Sequence, residues 1–166
     1  MRYAGLIEND FVNGEGVCTT LFLQGCPHHC PGCHNEETWD FNGGIEIDED
    51  ELIAKVKSVL EKNGIQRNLS ISGGEPLCDQ NLDFTKKIIR HIKEISPDIK
   101  ITIWTGFRYA ELLQDLKYGY ILNSAHMLIT GPFILAQRDI TLPLRGSKNQ
   151  EIWHKNDDGI LTLNKN

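Results

Sequence analysis

Leu69-Ser70-Ile71-Ser72-Gly73-Gly74-Glu75-Pro76 is the stretch whose reading decides the fold. A short strand, apolar at alternate positions, runs into a double glycine that ends it. Downstream, Phe84, Ile88, Ile89, Ile92 and Ile95 recur at helical spacing and stop before Pro97. Ile99, Ile101 and Ile103 then alternate as a second strand, ended by Trp104-Thr105-Gly106. Strand, helix and strand in this order make a βαβ unit, which predicts a parallel sheet with helices packed on it.

The pattern extends in both directions. Val17 to Gln24 is apolar and β-branched and reads as a buried strand running into a cysteine-rich loop. Asp48 caps a helix, with Glu51 three residues on; Leu52, Ile53, Val56, Val59 and Leu60 follow at helical spacing, and Asn63-Gly64 closes it. On the other side, Tyr109, Leu112, Leu113 and Leu116 predict a third helix, and Met127-Leu128-Ile129-Thr130 a fourth strand before Gly131-Pro132. From about residue 131 the periodicity fades into a loop-rich tail. No domain boundary interrupts the pattern, so residues 1–166 are expected to form one domain of the α/β class with a mostly parallel sheet. Parallel βα folds collect ligands at the carboxyl ends of their strands. Here those ends carry the cysteine loop, Gly73-Gly74-Glu75-Pro76, Thr105-Gly106 and Gly131-Pro132, which together predict one site.

Composition narrows the function classes. The chain has 166 residues, 40% hydrophobic and 24% charged, with a formal charge of −6. That balance argues against nucleic-acid binding, which wants a basic face. No stretch approaches the ~20 apolar residues of a membrane helix. Met1 to Glu8 has acid where a signal peptide needs an apolar core, so a cytoplasmic location is expected. Five cysteines, three of them clustered, read as metal-binding or catalytic in a reducing compartment.

The cluster is Cys26-Pro27-His28-His29-Cys30-Pro31-Gly32-Cys33. Three thiolates on one loop, with no fourth cysteine beside them, could hold a cubane iron–sulfur cluster and leave one iron open to a non-protein ligand. The plainer alternative is structural zinc in a non-catalytic interaction module, with His28, His29, His34 or Cys18 as fourth ligand. Zinc sites usually draw on two separated ligand pairs, and no second pair exists here. Cys18 and Cys78 read as packing residues. In Ser72 to Leu77, the double glycine serves either as a strand-to-helix turn or as a place where a ligand approaches the backbone, with Glu75 favouring a cationic group such as an amine. Arg145 to Gln150 reads as a solvated loop or, functionally, as a dock for an anion or a protein partner, with Arg145 and Lys148 as its basic contacts. Trp39, Trp104 and Trp153 read as packing residues and His91 as a surface histidine.

With these motifs in order, the chain resembles the radical S-adenosylmethionine superfamily, and within it the activating proteins of anaerobic ribonucleoside-triphosphate reductases. The resemblance runs through Val12 to Gly16, Gln24 to Asn35, Ser72 to Leu77, Trp104 to Phe107, Gly131-Pro132-Phe133 and Arg145 to Gln150. It implies a shortened, incomplete (β/α) barrel. It implies that Cys26, Cys30 and Cys33 ligate a [4Fe–4S] cluster whose open iron takes S-adenosylmethionine. Gly32, Cys33 and His34 would lie beside that cofactor, Gly73, Gly74 and Glu75 at its methionine end, and Thr105 near its ribose or sulfonium. The implied activity is reductive cleavage of S-adenosylmethionine that leaves a glycyl radical on the large reductase subunit, with flavodoxin or ferredoxin as electron donor. An activase of another glycyl-radical enzyme, or another radical S-adenosylmethionine enzyme, is the nearest alternative. Thr130 departs from the pattern, standing where relatives often carry Asp.

Overall fold

The computed structural model describes residues 1–164. In chain order the elements are β1 (Arg2–Asp10), β2 (Cys18–Leu23), β3 (Ile45–Glu46), α1 (Glu49–Leu60), β4 (Asn68–Gly73) and α2 (Asp79–Ile95). They continue with β5 (Ile101–Thr105), α3 (Tyr109–Leu113), α4 (Gly119–Ser124), β6 (Met127–Thr130), β7 (Glu151–Lys155) and β8 (Leu161–Leu163). The strands form one open sheet in the order β3-β1-β2-β4-β5-β6-β7-β8. Its centre, β2-β4-β5-β6, is parallel, as the βαβ pattern predicts. Its flanks are antiparallel: β1 pairs with β2 and β3 on one side, and β7 with β6 and β8 on the other.

Alternation along the central strands separates two chemically different faces. Leu21, Ile71, Ile103 and Leu128 stand in register across the four parallel strands, all fully buried. They belong to one core with Leu52 and Val56 of α1, Ile88 and Ile89 of α2, and Ile121 of α4. The intervening positions are different in kind. Ser70 and Thr102 are buried hydroxyls, and Met127, Ile129 and Ile152 form a small separate cluster with Trp104 and Leu144.

Residues 11–17, between β1 and β2, cross over these hydroxyls as a strap. Asp10 anchors it, its carboxylate accepting from Val12 N at 2.9 Å and from Asn13 N at 3.1 Å. Ser70 donates to the carbonyl of Asn13, and Asn68 Nδ2 to that of Glu15 at 2.8 Å.

Two expectations need correction. The third helix is broken into α3, a 3₁₀ turn at Leu116–Tyr118, and α4. Asp115 causes the break: its side chain caps the backbone N–H of Lys117 at 2.9 Å, and Leu116 is left 97% exposed instead of facing the core. The tail is loop-rich only through residue 150; β7 and β8 then extend the sheet. The Asp48 cap is as expected, accepting from Asp50 N at 2.9 Å and Glu51 N at 3.2 Å.

Candidate functional site

At the end of β2 the chain turns at Gly25 (φ 95°) into the cysteine loop. A β-carbon there would stand 2.2 Å from the Phe41 ring, so only glycine fits. The base of the loop is tied to the segment that follows it. Gly25 N donates to Thr38 O at 2.8 Å and Cys26 N to Trp39 O at 3.1 Å. The Gln24 amide donates to the carbonyls of Glu37 and Asp40 at 3.0 and 2.8 Å. Gly32 (φ 74°) allows the turn in which Cys33 N bonds to Cys30 O at 3.0 Å. His29 stacks on Trp39, with ring centroids 4.9 Å apart.

All five cysteines are free thiols. Cys26, Cys30 and Cys33 line one cavity of about 460 Å³ at the carboxyl ends of the parallel strands. Burial pushes the Cys26 thiol up to about 11 and raises that of Cys30, so both hold their protons at neutral pH until a metal displaces them. Soft thiolates suit an iron–sulfur cluster, and three of them on one loop would leave one iron of a cubane open. Cys18 and Cys78 are buried and do not line this cavity.

Gly73 and Gly74 line the same cavity, but their missing side chains are explained by the protein itself. A β-carbon on Gly74 would lie 2.3 Å from the carbonyl oxygen of Gly25, and one on Gly73 2.6 Å from that of Leu23. The double glycine lets the end of β4 close on the root of the cysteine loop, where Gly74 N bonds to Leu23 O and Glu75 N to Gly25 O, each at 2.8 Å.

Glu75 is 1% exposed and fully engaged. Its Oε1 accepts from Leu77 N at 2.9 Å and Thr105 Oγ1 at 2.8 Å. Its Oε2 accepts from Gly106 N at 2.7 Å and lies 2.8 Å from His28 Nε2. With every acceptor position taken, Glu75 has none left for the ligand amine that the sequence reading gave it. It joins three strand-end loops instead. The hydrogen bond to Glu75 holds the imidazole of His28 protonated to a higher pH than usual, and the ring sits edge-on to Phe107 at 4.8 Å. Gly106 makes room for that ring, since a β-carbon would fall 2.4 Å from it.

The far wall of the cavity comes from Gly131, Phe133, Arg145, Gly146 and Gln150. Gln150 shapes it, accepting from Gly146 N at 2.9 Å and donating to Gly131 O at 3.1 Å. Lys148 lies off the cavity, 3.7 Å from Asp139. Thr130 is wholly buried, and its hydroxyl has no hydrogen-bond partner among the described residues.

One cavity thus gathers Cys26, Cys30, Cys33, His34, Gly73, Gly74, Glu75 and Thr105; Gly32 shapes the loop from outside it, against Leu135. The sequence reading missed Asn81, whose Nδ2 donates to the carbonyls of Gln24 and Glu75, each at 3.0 Å. It also took Trp39 and Trp104 for plain packing, although both line the cavity. A buried asparagine one turn into a helix carries no local signal that it serves a distant loop.

Comparison with known proteins agrees with this geometry. A family model described as a 4Fe-4S single cluster domain matches residues 12–153. The anaerobic ribonucleoside-triphosphate reductase-activating protein of Pasteurella multocida is 38% identical over 154 residues, covering 92% of this chain and 97% of that protein. Its namesake in Vibrio cholerae is 39% identical over 155 residues, with the same coverage of 92% and 97%. The one in Enterobacteria phage T4 is 33% identical over 164 residues, covering 96% and 97%. The family model spans the cysteine loop and the other three strand-end loops, and the chain belongs to the family of anaerobic ribonucleoside-triphosphate reductase-activating proteins.

Proposed function

We propose that this chain is a radical S-adenosylmethionine activase that places a glycyl radical on the large subunit of an anaerobic ribonucleoside-triphosphate reductase. Cys26, Cys30 and Cys33 hold a [4Fe–4S] cluster, with one iron left for S-adenosylmethionine. Bound there, the pair supplies the one-electron chemistry that cleaves the sulfonium C–S bond. The observation that carries this reading is the convergence of the three thiols with the Gly73-Gly74, Thr105-Gly106 and Gly131 loops on one cavity.

The chain's own residues divide the work. Gly73 and Gly74 present bare backbone to the methionine end of the cofactor. Cys33 and His34 flank it beside the cluster, Gly32 holds the turn between them and Cys30, and Thr105 faces the ribose or sulfonium. Glu75, His28 and Asn81 keep these loops at fixed separation, and Arg145 and Gln150 close the wall opposite. In this reading the open sheet is an incomplete (β/α) barrel, residues 1–166 act as one radical S-adenosylmethionine domain in the cytoplasm, and a flavodoxin or ferredoxin delivers the electron.

Anaerobic reconstitution tests the assignment. Wild type should take up roughly four irons per chain, and with dithionite it should convert S-adenosylmethionine to methionine and 5′-deoxyadenosine. Cys26→Ser, Cys30→Ser and Cys33→Ser should each lose both properties, because serine oxygen is a poor partner for such a cluster. Cys18→Ser and Cys78→Ser should keep both. Stoichiometric zinc without iron uptake would contradict the proposal.

A further inference from the structure

Glu15, His126 and His154 gather at the amino-terminal ends of the parallel strands, the opposite end from the cysteine loop. Their ligand atoms all lie within 4.8 Å of one another. His126 immediately precedes β6, and its backbone is fixed on both sides: its N–H donates to Ile101 O and its carbonyl accepts from Lys155 N, each at 2.8 Å. His154 is in β7, paired across the sheet with Met127. Both imidazoles therefore stand on rigid strands. The carboxylate comes from the strap, which crosses the helix-free face of the sheet and brings Asn13 to the wall of the cavity.

We propose that Glu15, His126 and His154 form a second metal site, which takes one divalent transition-metal ion of the zinc type and fastens the strap to β6 and β7. His126 Nε2 lies 3.3 Å from Glu15 Oε2, and His154 Nδ1 3.4 Å from Glu15 Oε1. Charge-assisted hydrogen bonds are usually shorter, about 2.7–2.9 Å. Each imidazole thus faces one oxygen of the same carboxylate, and one ligand atom from each of the three residues falls within 4.8 Å of the others. The two ring planes cross at 84°, with centroids 6.1 Å apart. Two imidazoles and one carboxylate favour zinc and its neighbours over magnesium or calcium, which want oxygen. The side chains are 27%, 29% and 39% exposed for His126, His154 and Glu15, which leaves a fourth position open to water. Lys100, 3.0 Å from Glu15 Oε2, acts as the outer hydrogen-bond partner that orients the carboxylate. No cysteine takes part, so this site and the cysteine loop can be told apart by their donors.

The test uses full-length protein with its iron–sulfur cluster already loaded, so that Cys26, Cys30 and Cys33 are occupied. Cluster-loaded wild type is equilibrated with zinc chloride, desalted, and measured for zinc and iron, and its zinc-edge X-ray absorption is recorded. The expected result is one zinc per chain with imidazole and oxygen scattering and no sulfur. His126→Ala/His154→Ala should bind zinc at least tenfold more weakly with iron content unchanged, and Glu15→Gln should weaken it in the same direction. No zinc above background in the wild type, zinc–sulfur scattering, or equal zinc in the double variant would each overturn the proposal. If the double variant fails to hold its cluster, the wild-type spectrum decides by itself.

Discussion

A β-carbon at Gly74 would stand 2.3 Å from the Gly25 carbonyl oxygen, so a side chain at Gly74 strikes the root of the cysteine loop before it reaches any ligand. Gly74→Val should therefore push the end of β4 away from Gly25. Overpacking of this kind costs about 1–3 kcal/mol, and Cys26 is the next residue along. The variant is expected to unfold at lower denaturant and to retain less iron after reconstitution and desalting. Full iron retention with a selective loss of S-adenosylmethionine binding would show instead that this glycine serves the ligand alone. The need for glycine at this position is legible in the sequence, because a strand ending in two glycines marks a special backbone. Its cause is not legible. The atoms that demand it belong to Gly25, far away in the chain and brought near only by the parallel pairing of β2 with β4. The same holds for Glu75, whose four partners come from three separate loops.

Among the elements, those whose apolar residues face one continuous core were readable. The four parallel strands and the helices α1 and α2 repeat Leu, Ile and Val at the period their geometry requires. The flanking strands were not. β1 contains Arg2, Gly5, Glu8 and Asn9, and β7 reads Glu-Ile-Trp-His-Lys; each is only partly buried, so tertiary pairing sets its conformation more than pattern does. The strap was visible as the motif Val12-Asn13-Gly14-Glu15-Gly16, but not as a cover for buried hydroxyls. Gly14 lies in the left-handed region (φ 136°), and a β-carbon there would meet Cys18 Sγ at 2.7 Å and Ser70 Oγ at 2.8 Å. Gly14→Ala should consequently lift the strap and expose Cys18, which is wholly buried in the wild type. In cluster-loaded protein, a maleimide should label Cys18 of the variant far faster than that of the wild type. Labelling as slow as in wild type would mean that the strap does not depend on close contact at Gly14.

At the scale of the whole molecule, the sheet separates stability from chemistry. One face carries the apolar core and its helices, and the carboxyl ends of the parallel strands carry the cavity. The cysteine loop, the Gly73-Gly74 turn, the Thr105-Gly106 turn and the Gly131 wall come from four successive parallel strands, so the sheet order itself assembles the site. Burial of Cys26 and Cys30 keeps their thiols protonated in the absence of metal. The most direct measurement is electron paramagnetic resonance on the large reductase subunit, incubated anaerobically with this protein, S-adenosylmethionine and dithionite. The account predicts a glycyl-radical signal in the reductase that requires S-adenosylmethionine and disappears with Cys30→Ser. Cleavage of S-adenosylmethionine with no radical in the reductase, under conditions where an authentic activase–reductase pair gives one, would contradict it.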